Sequence, residues 1–269
     1  MTPKSNIHTH TTFSDGRDTA EEMLRRALAL GFHTLGFSDH GYAPYCDYGM
    51  TQAQEPRYRA EVLRLREKYA GRIDILLGYE HDWLSPAPEE PYDYVIESTH
   101  YLKKDGEIFD LDYTRPLLEA AVRTHYGGDF YALCRDYFRT ICESCESPAN
   151  ILGHMDLIMK FNECRDLFDD ADPRYLGPAL EAAECAARSG KLVEVNTGAV
   201  AKGYRTQPYP GRAILARLAE LRAPVILSSD CHNAPWLDCH FAETVALLRA
   251  CGFKTALEYR GSTLEEYPL

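Results

Sequence analysis

The sequence has no apolar run approaching the roughly 18 residues that a membrane-spanning helix needs, so a helical membrane protein is excluded and a soluble chain is expected. No low-complexity tract and no linker rich in Gly, Pro or Ser interrupts it, which argues against disorder and against two domains on a flexible tether. No internal repeat is visible, so a solenoid is excluded as well. Basic charge is in deficit: 29 Lys and Arg stand against 41 Asp and Glu, a net charge of −12. That is the wrong sign for a protein that neutralises nucleic-acid phosphates along their length. The short stretch before His8 leaves no room for a signal peptide, and a cytoplasmic location is expected. The 9 cysteines are odd in number and irregular in spacing, as expected of reduced, buried thiols rather than a disulfide framework.

What is present is a globular composition, 45% hydrophobic and 26% charged over 269 residues, long enough to bury one large core. Runs of β character at 6–9, 33–38, 73–79, 92–98, 151–153, 192–195, 225–228 and 254–259 alternate with helical segments. The first helix is expected over 19–30, with Ala20, Met23, Leu24, Ala27 and Leu28 on one face, Asp18 as its cap and Gly31 as its stop. Strands alternating with helices imply a parallel sheet with helices outside, either a barrel or a doubly wound sheet, in a single domain. Between His100 and His154 one long helix is expected, its apolar stripe formed by Phe130, Leu133, Cys134, Tyr137, Phe138, Ile141, Cys142 and Cys145. Cys142 and Cys145 form a CxxC pair, but both lie on that stripe and no second Cys/His pair flanks them at zinc-ribbon spacing. They are read as core thiols.

The histidines and acids fall at the C-terminal ends of the expected strands. The first strand ends in His8-Thr9-His10, whose two-residue spacing turns both imidazoles to one face of an extended chain, and Ser14-Asp15-Gly16 follows. Later ends read Ser38-Asp39-His40, Gly78-Tyr79-Glu80, Ser98-Thr99-His100, Gly153-His154-Met155-Asp156 and Ser229-Asp230-Cys231-His232. In a parallel barrel these ends share one mouth, where active sites are built. His8, His10, Asp15, His40, Glu80, His100, His154, Asp230 and His232 are therefore candidate ligands. Imidazole and carboxylate donors without thiolate suit two or three divalent transition metal ions, Mn, Fe or Zn. By strand alternation Asp39 and His81 point away from the mouth and are read as structural. His33, His125 and His240 lie off the strand ends, and Cys231 is expected to pack in the barrel wall. Asp156 is read either as a partner orienting His154 or as a strand-to-helix cap.

The succession HTHTTFSDG, SDH, Glu80, His100, GHMD and SDCH resembles the polymerase and histidinol phosphatase (PHP) family of metal-dependent phosphoesterases, from His8 to His232. The resemblance implies a distorted (β/α)7 TIM-like barrel with a trinuclear centre. It implies one ion on His8, His10, Glu80 and Asp230, a second sharing Glu80 with His100 and His154, and a third on Asp15, His40 and His232. A narrower resemblance, to histidinol-phosphate phosphatases of histidine biosynthesis, rests on HTHTTFSDG, GYE, ESTHY, the insertion before GHMDLIMKFN, and the GYRTQPYP loop. It implies hydrolysis of L-histidinol phosphate through a metal-bridging hydroxide, with Glu80, Asp230 and Arg205 in catalytic roles. Arginines are expected at the substrate phosphate; Arg205 fits one place, and Lys160 stands where another is expected. Three divalent ions against Asp15, Glu80, Asp230 and one hydroxide leave about +2, which suits a small phosphomonoester dianion.

Three rivals remain. A metal-dependent amidohydrolase also begins with HxH, but typically bridges its metals with a carboxylated lysine and would leave SDG, SDH and SDCH unexplained. A PHP-type phosphoesterase for nucleotides or other small phosphate esters fits the same ligands. A non-catalytic metal-binding module would not need the complete set.

Overall fold

The computed structural model describes residues 2–269. In chain order its elements are β1 (Ser5–Asn6), α1 (Ala20–Ala29), β2 (Thr34–Phe37), α2 (Glu55–Lys68), β3 (Asp74–Asp82), β4 (Tyr94–Ser98), β5 (Tyr101–Lys104) and β6 (Glu107–Asp110). There follow α3 (Arg115–Tyr126), α4 (Phe130–Ser144), β7 (Ile151–Leu152), α5 (Pro173–Ser189), β8 (Leu192–Asn196), α6 (Gly198–Ala201), α7 (Arg212–Glu220), β9 (Val225–Ser228), α8 (Phe241–Cys251), β10 (Thr255–Arg260) and β11 (Thr263–Pro268).

Strands β1, β2, β3, β4, β7, β8 and β9 are hydrogen-bonded in that order, and each pair is parallel. The sheet curls until its ends meet: His10 N donates to Cys231 O at 2.9 Å and Cys231 N to His8 O at 3.0 Å. This is the distorted TIM-like barrel expected from the sequence. β10 continues the sheet beyond β9 and turns back antiparallel into β11, a hairpin the periodicity had not disclosed. No helix among the described residues is long and apolar enough to cross a membrane.

Strand alternation sorts side chains between two cores. Ile75, Leu77 and Tyr79 of β3 face the helices, in a continuous apolar layer that also holds Val193, Val195, Val225 and Leu227. The opposite parity fills the barrel with Ile7, Leu76, Tyr94, Ile96, Ile151, Leu192, Ile226 and Tyr259. Tyr94 reaches across that interior and donates to Ile7 O at 2.5 Å. Its ring fits because two neighbours lack side chains: a Cβ on Gly36 or on Gly78 would come within 2.2 Å of it. This apolar plug forms the floor on which the site stands.

Local details depart from expectation. The cap of α1 is Thr19, in a reciprocal capping box with Glu22, while Asp18 accepts from Ala234 N at 2.7 Å instead. The region between His100 and His154 carries a two-stranded hairpin, β5–β6, and two helices rather than one. Gly127 and Gly128, both at positive φ, end α3 and let the chain turn into α4. The cysteine reading also needs correction. Cys145 is a buried thiol, but Cys142 is only half-buried and is disulfide-bonded to Cys185, joining α4 to α5. The helical periodicity placed Cys142 on the apolar stripe with Cys145; it could not reveal that Cys185 of α5 would face it.

Candidate metal centre

Above the floor the inward positions turn polar. On β3 the parity that sends Leu76 and Gly78 inward also sends Glu80 inward, where it is 1% exposed. His81, one residue on, faces the other way and pairs with buried Glu97 at 2.8 Å. Glu80 is the hub of the constellation. His40 Nδ1, His8 Nε2 and His10 Nε2 lie 2.8, 3.2 and 3.4 Å from its Oε2, and His154 Nε2 and His100 Nε2 lie 3.1 and 3.5 Å from its Oε1. Asp230 Oδ1 lies 3.1 Å from His10 Nε2 and 3.3 Å from His232 Nδ1, and Asp15 Oδ2 lies 3.1 Å from His232 Nε2. All nine expected ligand residues therefore converge at one mouth.

Four groups of donor atoms lie within 4.8 Å of one another: His10, Asp15, His40 and His232; His8, His10 and Asp230; His8, Glu80 and His154; and His40, Glu80 and His100. Their unsatisfied atoms fit divalent cations. His8 Nε2, both ring nitrogens of His10, Glu80 Oε2 and His154 Nδ1 are buried with no hydrogen-bond partner among the described residues. One such atom is costly; five on four neighbouring members of these donor groups call for positive charge among them. Burial alone would raise the pKa of Glu80, but the imidazoles of His40, His8 and His100 outweigh it and hold the carboxyl well below its usual range. His10 is driven well below the ordinary imidazole value by burial and by His232 and His40, which keeps it neutral and able to donate a lone pair.

Neighbouring residues set these ligands in place. Asp39 is fully buried and accepts from Thr11 N at 2.8 Å, Thr11 Oγ1 at 2.9 Å, Ser14 N at 3.1 Å and Ser14 Oγ at 2.6 Å, which fixes the turn carrying Asp15. Ser98 Oγ donates to Glu80 Oε1 at 2.6 Å. His232 Nδ1 lies 2.9 Å from the Asp230 carbonyl, an acceptor that holds the proton there and frees Nε2 toward Asp15. Asp230 itself has a left-handed backbone (φ 46°), uncommon for a residue with a side chain.

Glu194 was missed by the sequence reading. It is fully buried on β8 at the same parity as Leu192, and it accepts from His8 Nδ1 at 2.5 Å, His154 N at 2.8 Å, Asn196 Nδ2 at 3.0 Å and Ser228 Oγ. The available signal was a lone acid inside the buried run LVEVN. Asp82, also missed, accepts from His100 N at 2.9 Å and from Tyr45 OH at 2.8 Å. Asp156 neither caps a helix nor touches His154 by a hydrogen bond; it accepts from Gly211 N at 2.8 Å, and burial pushes its carboxyl up to about 6. Cys231 is buried in the wall, as expected.

A cavity of about 300 Å³ opens over the ligands, bordered by Tyr48, Asp112, Lys160, Lys202, Tyr204 and Tyr209. Lys160 lies at this mouth, but its ammonium is engaged: it donates to Asp112 O at 2.6 Å and Asp112 Oδ2 at 2.8 Å. Arg205 is held outside. Its guanidinium donates to Met159 O at 3.1 Å, faces Glu163 at 3.3 Å, and borders a separate cavity beside α5 and α7.

The barrel and its ligand order define a class, and the sequence agrees: the PHP domain matches residues 6–198, and the chain belongs to this family. Among individual relatives, the chain is 31% identical to the "Probable histidinol-phosphatase" of Deinococcus radiodurans, covering 95% of this chain and 96% of that one. It is 26% identical to the histidinol-phosphatase of Bacillus subtilis, over 86% and 94% of the two chains. The fold is shared with the crystal structure of the histidinol phosphate phosphatase of Lactococcus lactis in complex with zinc, L-histidinol and phosphate. That match has a TM-score of 0.68 at 22% identity and covers 97% of this chain and 98% of the other.

Proposed function

We propose that this chain is a metal-dependent phosphomonoesterase that hydrolyses L-histidinol phosphate to L-histidinol and phosphate. The observation that carries the reading is the convergence of nine imidazole and carboxylate side chains at one mouth, five of whose buried polar atoms have no hydrogen-bond partner among the described residues, in a chain whose relatives along nearly its whole length are named histidinol-phosphatases. His8, His10, Glu80 and Asp230 would hold one ion, Glu80 with His100 and His154 a second, and Asp15, His40 and His232 a third. Zinc is favoured over Mn or Fe by the Lactococcus complex.

Bound divalent ions supply Lewis acidity to water and to the phosphoryl oxygens. The chain supplies the rest. Glu80 and Asp230 place anionic charge between the imidazoles and hold them at fixed spacing, and Glu194 and the Asp230 carbonyl set the tautomers of His8 and His232. Tyr48, Tyr204 and Tyr209 wall the cavity, which at about 300 Å³ suits a small monoester rather than a polymer strand. Lys160, carried with Asp112, brings a cation to the mouth where the phosphate would enter. A direct contact from Arg205 to phosphate would require its guanidinium to leave Glu163 and Met159 O.

The test is phosphate release by metal-loaded protein from L-histidinol phosphate, mononucleotides and p-nitrophenyl phosphate. The reading expects the highest kcat/KM for L-histidinol phosphate. No release from any ester refutes a phosphatase, and a preference for nucleotides refutes the substrate.

A further inference from the structure

Between His40 and Met50 the chain leaves the barrel mouth as a loop and returns to it. The ends of the loop are pinned: Gly41 N donates to Glu80 O at 2.9 Å and Met50 N to His40 O at 2.9 Å, and a Cβ on Gly49 would lie 2.5 Å from Gly41 O. Its interior has open space on two sides. Tyr48 borders the metal cavity, in a T-shaped contact with His40 whose ring centroids are 4.8 Å apart. On the outer side Pro44, Tyr45 and Asp47 face Ile108, Tyr113 and Leu117 across a cleft of about 500 Å³. A segment flanked in this way has little apolar packing to hold it. What fastens it is Tyr45, whose hydroxyl donates to Asp82 Oδ1 at 2.8 Å and whose ring meets that of Tyr101 in a T-shaped contact at 4.7 Å.

We infer that Tyr45 is a positioning residue for substrate binding: its bond to Asp82 latches the loop against the mouth and keeps the Tyr48 ring in the cavity wall. The inference rests on the phosphomonoesterase reading above. Asp82 is suited to be the anchor. It is buried at the end of β3, its Oδ2 accepts from His100 N at 2.9 Å, and its Oδ1 also accepts from Leu84 N at 3.0 Å. Backbone donors on the barrel side therefore fix the carboxylate independently of Tyr45. A hydroxyl on such a carboxylate makes a strong hydrogen bond. Tyr45 itself borders the outer cleft and not the metal cavity, so its effect on a bound ester passes through Tyr48, three residues along the loop. An ester walled in by Tyr48 binds the latched loop, and its apparent affinity falls with the fraction of molecules in which the loop stays latched.

The test compares metal-loaded wild-type protein, Tyr45→Phe, Tyr48→Ala and the double variant. Tyr45→Phe keeps a ring against Tyr101 and removes only the latching hydroxyl. Amide hydrogen exchange across 42–50 should quicken about tenfold in Tyr45→Phe, with exchange in the barrel strands unchanged. With L-histidinol phosphate, KM should rise on the order of tenfold while kcat stays within about twofold and metal content, by elemental analysis, is unaltered. Because Tyr45 acts through Tyr48, Tyr48→Ala should also raise KM, and adding Tyr45→Phe to it should raise KM little further; independent roles would multiply. Wild-type exchange across 42–50 in Tyr45→Phe overturns the inference, as do a wild-type KM in either single variant, a fall in kcat with KM unchanged, or multiplying effects in the double variant. If wild-type protein hydrolyses no ester, the phosphatase reading fails, and quickened exchange confined to 42–50 still upholds the latch. If L-histidinol phosphate is hydrolysed with one KM by wild-type protein and Tyr45→Phe alike, the latch fails and the phosphatase reading stands.

Discussion

Replacing Glu194 by Gln changes two protons and almost no volume, yet it should weaken the metal centre. All four partners of this carboxylate present hydrogens: His8 Nδ1 and Ser228 Oγ to Oε1, His154 N and Asn196 Nδ2 to Oε2. A carboxylate accepts at both oxygens; a carboxamide accepts at one and donates at the other. If its NH2 takes the Oε2 position it meets the backbone N–H of His154, which cannot reverse. It also meets the NH2 of Asn196, whose own oxygen is held by Gly198 N at 2.8 Å. If the NH2 takes the Oε1 position, Ser228 can turn, but His8 must accept at Nδ1. Its proton then moves to Nε2, the atom facing Glu80 at 3.2 Å and Asp230 at 3.8 Å. The first arrangement leaves buried donors opposed, and the second abolishes the lone pair that His8 offers to a metal. Substitutions of this kind typically lower metal affinity tenfold to a hundredfold, about 1.4 to 2.7 kcal/mol at 1.36 kcal/mol per decade. Competition against a chelator of known affinity, read by elemental analysis, measures it directly. Wild-type metal affinity and kcat in Glu194→Gln would show that the carboxylate does not govern the His8 tautomer.

Other outcomes follow from the same geometry. Exhaustive chelation should abolish phosphatase activity, with recovery on addition of Zn, Mn or Fe; full turnover in protein shown to be metal-free would refute metal dependence. Glu80→Gln and Asp230→Asn should each lose most of kcat while far-ultraviolet circular dichroism stays unchanged, because the apolar floor below them is untouched. Near-wild-type turnover at unchanged metal content would overturn their roles. Leu133→Ala, fully buried in α4, should destabilise the fold by about 2–5 kcal/mol in urea denaturation, with metal content of the folded protein unaltered. A cost below 1 kcal/mol would mean that α4 packs less tightly than its burial indicates.

Much of this architecture could be read in the chain itself, because the alternation of strand side chains survives in any context. Short runs of β character between helical segments marked the barrel staves, and the placement of His and acid residues at their ends marked one mouth. That alternation separated Glu80 from His81 and His40 from Asp39. Tertiary structure decided what no local pattern encodes. Glu194 lies within a strand, where a buried acid is legible only when the donors around it, from four separate segments, are known. Cys142 found its partner 43 residues away because α5 packs on α4. The different surroundings of Lys160, Arg205 and Lys202 were likewise invisible: one met Asp112, one met Glu163, and the third came to lie 4.0 Å from Asp230. Sequence set the residue types and the face each would occupy, since those follow from backbone geometry over a few residues. Charge pairing depends on distances between segments far apart in the chain, and those existed only once the barrel had closed.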